Sequence, residues 1–204
     1  MILAIETSSA RHSICLARIE SPHTDVLNSQ WDAAGRSGRL LLELDGLREY
    51  LPGVRLIAIG TGPGSFSGIR AAISAAKGLR SVLGCPLTGI CSADTIGCDL
   101  AHVSRLGVFA DAKRGEFYMT EYRLGARSRG PITLPAADLE NHLSKLTMAV
   151  SAEPLSGVPE RAWPTATTLA RLAAHAWRQG PDALRDPEPI YLRGPTIAPP
   201  AKRH

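Results

Sequence analysis

Two stretches of this 204-residue chain carry residue types that could handle phosphate. Gly60-Thr61-Gly62-Pro63-Gly64-Ser65-Phe66-Ser67-Gly68 follows the apolar run Val54 to Ile59 and leads into residues spaced as a helix. In such a strand–loop–helix unit, backbone N–H groups and the helix N-terminus face an anion. No Gly-Lys-Ser/Thr follows, so the loop is not a P-loop, and the third glycine of a dinucleotide fingerprint is missing. The other reading is a tight turn that lets a small-residue helix pack closely. Glu6-Thr7-Ser8 places an acid and two hydroxyls after the apolar run Ile2 to Ile5, a pattern that also arises in any strand-to-turn transition.

Other catalytic arrangements are excluded by spacing. The six histidines (His12, His23, His102, His142, His175 and His204) come no closer than eleven positions, so no zinc-binding helix motif exists. No Gly-x-Ser-x-Gly nucleophile elbow occurs. Cys15, Cys85, Cys91 and Cys98 match no common zinc or redox spacing and read as buried free thiols. The net charge of +4 comes from basic residues scattered between Arg11 and Arg203, more typical of a solvated surface than of a nucleic-acid face. No apolar run approaches the roughly 20 residues that span a bilayer. The opening Met-Ile-Leu-Ala-Ile-Glu reads as a strand and not as a signal peptide, which predicts a cytoplasmic protein.

The elements that must position these residues follow from periodicity. Ile2 to Ile5, Ser13 to Ile19 and Val26 to Trp31 predict three strands joined by tight turns, as an antiparallel meander. Leu40, Leu44, Leu47 and Leu51 recur on one helical face, with Ser37 as its N-cap and Pro52-Gly53 as its stop. After the strand Val54 to Ile59, Ile69, Ala72, Ile73, Ala76, Leu79 and Leu83 predict a second helix, rich in small residues. A strand at Leu87 to Ile90 and a helix from Ser92 to about His102 complete a mixed α/β lobe, residues 1–104. The second, compact lobe, residues 105–204, reads as strands over Leu106 to Ala110 and Glu116 to Arg123 and a loop over Gly125 to Pro131. A short helix about Leu139 to Leu146, a strand from Met148 to Val150 and an amphipathic helix from Leu169 to Trp177 follow, with a basic tail at Ala201 to His204. No repeat is visible in the sequence.

Four blocks, in order, resemble signatures of the TsaB (YeaZ) family: Leu3-Ala4-Ile5-Glu6-Thr7-Ser8, Gly62 to Arg70, Asp111-Ala112-Lys113-Arg114-Gly115-Glu116-Phe117-Tyr118, and Pro189-Ile190-Tyr191-Leu192-Arg193. The first also resembles the first phosphate motif of the actin-like ATPase fold, with Glu6 in place of the usual aspartate and no glycine in the turn. Asp111 with Arg114-Gly115 resembles a second-lobe version of it. The resemblance implies an actin-like (ribonuclease H-like) α/β fold in two lobes. It also implies a non-catalytic partner of TsaD, in a complex with TsaE that forms threonylcarbamoyladenosine beside the anticodon of tRNAs reading codons that begin with A. The histidine often found before the family's first long helix is absent from Gly35-Arg36-Ser37-Gly38, so no role of it carries over.

On this reading Arg39–Leu51 and Ser65–Leu83 dock on TsaD, with Leu40, Leu44, Leu47, Phe66, Arg70, Ile73, Ala76 and Lys77 at the interface. There is no intrinsic cofactor and no metal site. Glu6, Thr7 and Ser8 are a degraded phosphate motif, ATP or ADP is accommodated only at the complex interface, tRNA is met through the complex, and a homodimer is open to the chain when alone. The competing reading is an actin-fold kinase or phosphotransferase that uses Glu6 and the glycine loop around Mg-ATP.

Overall fold

The computed structural model describes residues 1–21, 25–32 and 39–190. Ser37, Gly35-Arg36-Ser37-Gly38, Tyr191-Leu192-Arg193 and the basic tail lie outside them.

Two five-stranded sheets are built to one plan. In the first, β1 (Ile2–Glu6), β2 (Arg11–Ala17) and β3 (Asp25–Asp32) form the expected antiparallel meander. The strands β4 (Leu56–Gly60) and β5 (Leu87–Ile90) add in parallel on the other side of β1, giving the order β3-β2-β1-β4-β5. In the second sheet β6 (Leu106–Lys113), β7 (Glu116–Arg123) and β8 (Ala126–Pro135) form the meander. The strands β9 (Met148–Ser151) and β10 (Glu160–Arg161) then add in parallel on the free side of β6. The second order, β8-β7-β6-β9-β10, is the first repeated, so a doubling that leaves no repeat of sequence is plain in the pairing. This doubled α/β unit is the actin-like, ribonuclease H-like fold.

Helices cover the sheets. On the first, α1 (Arg39–Asp45) and α2 (Phe66–Leu83) lie on one face and α5 (Ala166–Gln179) on the other. Strands covered on both faces carry apolar residues without alternation. Accordingly Leu3, Ile5, Ile57 and Ile59 pack toward α1 and α2, while Ile2, Ala4, Leu56 and Ala58 pack toward α5. Helix α3 (Ser92–Asp99) packs on one face of the second sheet through Ala93 and Ile96, beside Val108 and Tyr122, and the short α4 (Leu139–Leu143) packs on the opposite face, beside Phe109 and Met119. Helix α2 starts at Ser65, whose hydroxyl accepts from Gly68 N, and stops at the left-handed Gly84, whose N–H returns to Arg80 O at 2.9 Å.

Four expectations change. The helix expected to reach Leu51 ends at Asp45; Gly46 follows, and Leu47 N–H bonds back only three residues to Leu44 O. Gly125 to Pro131, read as a loop, belongs mostly to β8, because pairing with β7 outweighs its glycine and arginine content. The stretch Ser151 to Pro164, for which the sequence predicts no regular element, contains β10. Helix α5 sits in the second lobe by sequence position but packs on the first sheet, with Ala166, Leu169, Ala170 and Ala173 buried against β1, β2 and β4.

Candidate functional site

The two suspected phosphate motifs are packed against each other. Ser65 N–H donates to Ser8 O at 2.6 Å, and the Thr7 hydroxyl donates to Gly68 O at 2.9 Å. A Cβ on Gly64 would lie 2.1 Å from Ser8 O, and one on Gly68 would lie 2.2 Å from Thr7 O. Two glycines of the loop are therefore demanded by the β1–β2 turn that presses on it. The groups a phosphate would need on this side of the molecule are holding the chain's own backbone.

Glu6 points away from that contact. Side chains alternate along a strand, so Glu6 shares a face with Ile2 and Ala4, and it is fully buried. Its Oε1 accepts from Ser8 N–H at 2.7 Å, while Oε2 lies over Gly60 without a hydrogen-bonding partner. Burial raises the carboxyl's pKa; hydrogen bonding from Ser8, and lesser effects of Ser92 and Thr7, draw it back.

A cleft of about 560 Å³ opens between the sheets beside this contact. Ser8, Ser9, Ser65 and Phe66 line one wall, Asp111, Lys113 and Tyr118 another, and Ile96, Val108 and Phe109 the floor. Asp111 and Lys113 stand at the end of β6, before the turn in which Arg114 and Gly115 have φ of 58° and 75°, as a two-residue hairpin turn requires. Asp111 Oδ1 accepts from Lys113 N and Oδ2 pairs with Lys113 Nζ at 2.6 Å, which lowers the Asp111 pKa. Glu153, also on the cleft, spans the lobes by accepting from Ala10 N–H at 2.7 Å.

An actin-like fold raises the possibility of a magnesium–nucleotide here, and the residues do not fit one. Glu6 is sealed beneath Gly60, Asp111 is bound at both oxygens by Lys113, and the charged side chains on the cleft are two acids and one lysine. Among the described residues no group of three His, Cys, Asp or Glu side chains could hold a metal ion. Of the suspected cofactor residues, Ser8 alone reaches the cleft; Glu6 and Thr7 are taken up by the fold.

The structure divides the residues expected at a partner face into buried and exposed ones. Leu40, Leu44 and Leu47 are buried in the core of their own lobe, as are Ile73 and Ala76, so the leucine stripe is used by its own sheet. What the two helices expose instead is Leu41 (64%) and Leu42 (72%) on α1, and Phe66 (56%), Arg70, Lys77 and Val82 on α2. Arg70 lies over the Phe66 ring, 5.0 Å from its centroid. Leu41 and Leu42 were missed because a periodicity count seeks the buried stripe and passes over the residues beside it. Glu153 gave no signal, since its partner lies 143 positions away.

A further polar cluster ties α3 to the second sheet. Asp94 accepts from Tyr122 Oη and Arg127 Nε, both at 2.8 Å, and pairs with Arg127 through its other oxygen. The pKa of Tyr122 rises with burial and with the nearby Asp94 charge. The four cysteines form no disulfide, and burial pushes the Cys91 thiol up to about 12. No helix among the described residues is long and apolar enough to cross a membrane.

Residues 51–162, more than half of the chain, match the family model described as TsaD: tRNA N6-adenosine threonylcarbamoyltransferase. An uncharacterized protein of Mycobacterium tuberculosis is 34% identical over 149 residues, which cover 70% of this chain and 66% of that protein. This chain thus spans just under two thirds of that curated relative's length. Among solved structures, an uncharacterized Pseudomonas aeruginosa protein with similarity to peptidase YeaZ superposes with a TM-score of 0.72 at 24% identity, over 94% of this chain and 99% of that one. YeaZ from Pseudomonas aeruginosa superposes at 0.68, again at 24% identity, over the same shares.

Proposed function

The chain belongs to the TsaD family, and we propose that within it this protein is a non-catalytic subunit of TsaB (YeaZ) type, acting in tRNA threonylcarbamoylation. The observation that carries this reading is the fate of the first phosphate motif. Its acid is sealed in the core and its hydroxyl and backbone groups clamp the glycine loop, so the motif shapes a helix and does not handle a substrate. On this reading the chain docks a catalytic TsaD subunit through the exposed side of α1 and α2, at Leu41, Leu42, Phe66, Arg70 and Lys77. Large exposed apolar side chains on neighbouring helices are what a protein partner covers. TsaE and tRNA join through the complex, in the cytoplasm. A nucleotide, where one takes part, is held between subunits and not in this chain's cleft. The kinase reading loses its metal-holding acid.

The test is reconstitution. With threonylcarbamoyl-adenylate and tRNA, the chain alone should form no modified adenosine, and adding the TsaD subunit of the same organism should restore it. Modification by the chain alone overturns the proposal. So does a TsaD that binds neither this chain nor needs it.

A further inference from the structure

The buried carboxyl of Glu6 is an ionisable group that the proposed function leaves unused, and its surroundings connect it to the glycine loop. Oε2 lies so close over Gly60 that a Cβ there would be 1.9 Å from it, and Ser92 Oγ would lie 2.7 Å from the same point. Ser92 Oγ accepts the Gly62 N–H at 3.0 Å, and Ser92 N–H donates to Gly62 O at 2.8 Å. The Ser92 hydroxyl is near enough to act on the carboxyl's proton affinity but stands outside hydrogen-bonding geometry to Oε2. On its other side the carboxyl holds Ser8 N–H, and Ser8 O takes Ser65 N–H at the head of α2.

We propose that Glu6 is the positioning residue of the glycine loop. Wedged between Gly60 and Ser92, its carboxyl sets both ends of the segment 62–65, from Gly62 through Ser92 and from Ser65 through Ser8. The place that a metal–nucleotide would steady from outside is steadied from within the first sheet. The groups that act on the carboxyl are neutral: Ser8 and Thr7 of its own turn and Ser92 of α3. Gly60 of β4 and Ser13, opposite on β2, add no charge. A carboxyl in such surroundings serves as a neutral acid, and an amide of the same shape should replace it.

The experiment is amide hydrogen exchange across residues 62–68 in the full chain, with Glu6→Gln, Glu6→Asp and Ser92→Ala. Glu6→Gln should keep the loop's protection within about twofold, because shape and neutrality are retained. Glu6→Asp, one methylene short, and Ser92→Ala should each speed exchange at Gly62 by about tenfold, with the β6–β7 amides unchanged. Combining them should be no worse at Gly62 than the stronger single change, since both break one connection. The parent's loop should loosen as pH rises, and the Glu6→Gln loop should not. Loss of protection in Glu6→Gln equal to that in Glu6→Asp overturns the proposal, because the charge would then be what matters. Protection of the parent's loop by Mg-ATP that Glu6→Gln abolishes also overturns it. If Glu6→Asp fails to fold, Ser92→Ala decides alone: unchanged exchange at Gly62 refutes the connection.

Discussion

Replacing Gly68 by alanine should destabilise the protein, whereas the same change ten residues along the same helix should stabilise it. At Gly68 the new Cβ would sit 2.2 Å from Thr7 O and 3.1 Å from Ser65 Oγ. An ordinary C···O contact is about 3.3 Å or more, so helix and turn must part by roughly 1 Å. That displacement loosens the Thr7 hydroxyl bond to Gly68 O, about 1 kcal/mol, and adds overpacking strain of about 1–3 kcal/mol. The helix-propensity gain of alanine over glycine, about 1 kcal/mol at most, offsets part of this. The net loss is about 1–3 kcal/mol, or a fall in Tm of roughly 3–10 °C for a chain of this length. Gly78, exposed on α2 with nothing within 4 Å of its Cβ position, has the gain without the clash. There Ala should raise Tm by roughly 2–3 °C. Thermal and urea unfolding followed by circular dichroism measure both, with the urea slope expected unchanged. If Gly68→Ala behaves like Gly78→Ala, the turn does not press on the helix, and the account of the paired motifs fails.

Leu42→Glu, on a side chain already 72% exposed, should leave melting unchanged yet weaken TsaD capture about tenfold or more, whereas Leu47→Glu, at 1% exposure, should unfold the lobe; a folded, binding-competent Leu47→Glu would contradict the core assignment. Asp94→Ala strands the buried Tyr122 hydroxyl and the Arg127 guanidinium, and should destabilise by about 2–3 kcal/mol in urea titration; a loss below about 0.5 kcal/mol would show the cluster to be incidental. Because the folded pKa of Glu6 is raised, folding takes up a proton: its favourable contribution is complete below the unfolded value of 4.5 and is lost as pH rises through the folded one. His12, whose pKa burial lowers, acts in the opposite sense as pH falls through its unfolded value of 6.5. As pH rises above 4.5, therefore, the urea midpoint of Glu6→Gln should gain on the parent's, and a midpoint that falls behind would reverse the assigned sign.

Much of the fold was legible because both lobes announce their strands and helices by period. Helix α2 was legible over its whole length, read as Ser65–Leu83 and found as Phe66–Leu83. The strand β8 was not, because Gly125, Gly130 and Pro131 argue against a strand and only the partner β7 overrules them. The doubling was hinted at only by Asp111 with Arg114-Gly115, since it lies in which strands pair and not in which residues recur. At the site, the leucine stripe told which face is apolar but not what covers it; the chain's own first sheet does. Glu6 was partly readable: its even position, shared with Ile2 and Ala4, already turned it from the α2 face, while the depth of its burial depends on Gly60, 54 residues away.

The return of α5 to the first sheet has a consequence for synthesis on the ribosome. The strands β1, β2 and β4 are complete once Gly60 has been made, yet Ile2, Ala4, Leu56 and Ala58 have no cover until residues 166–179 emerge. At a bacterial elongation rate the wait is on the order of ten seconds. For that interval the nascent chain carries a sheet with one oily face open to water, while the whole second sheet is made between its two halves. The first lobe begun is therefore among the last finished, and a chain cut short before Ala166 should be bound by holdase chaperones even though every strand of its first sheet is present.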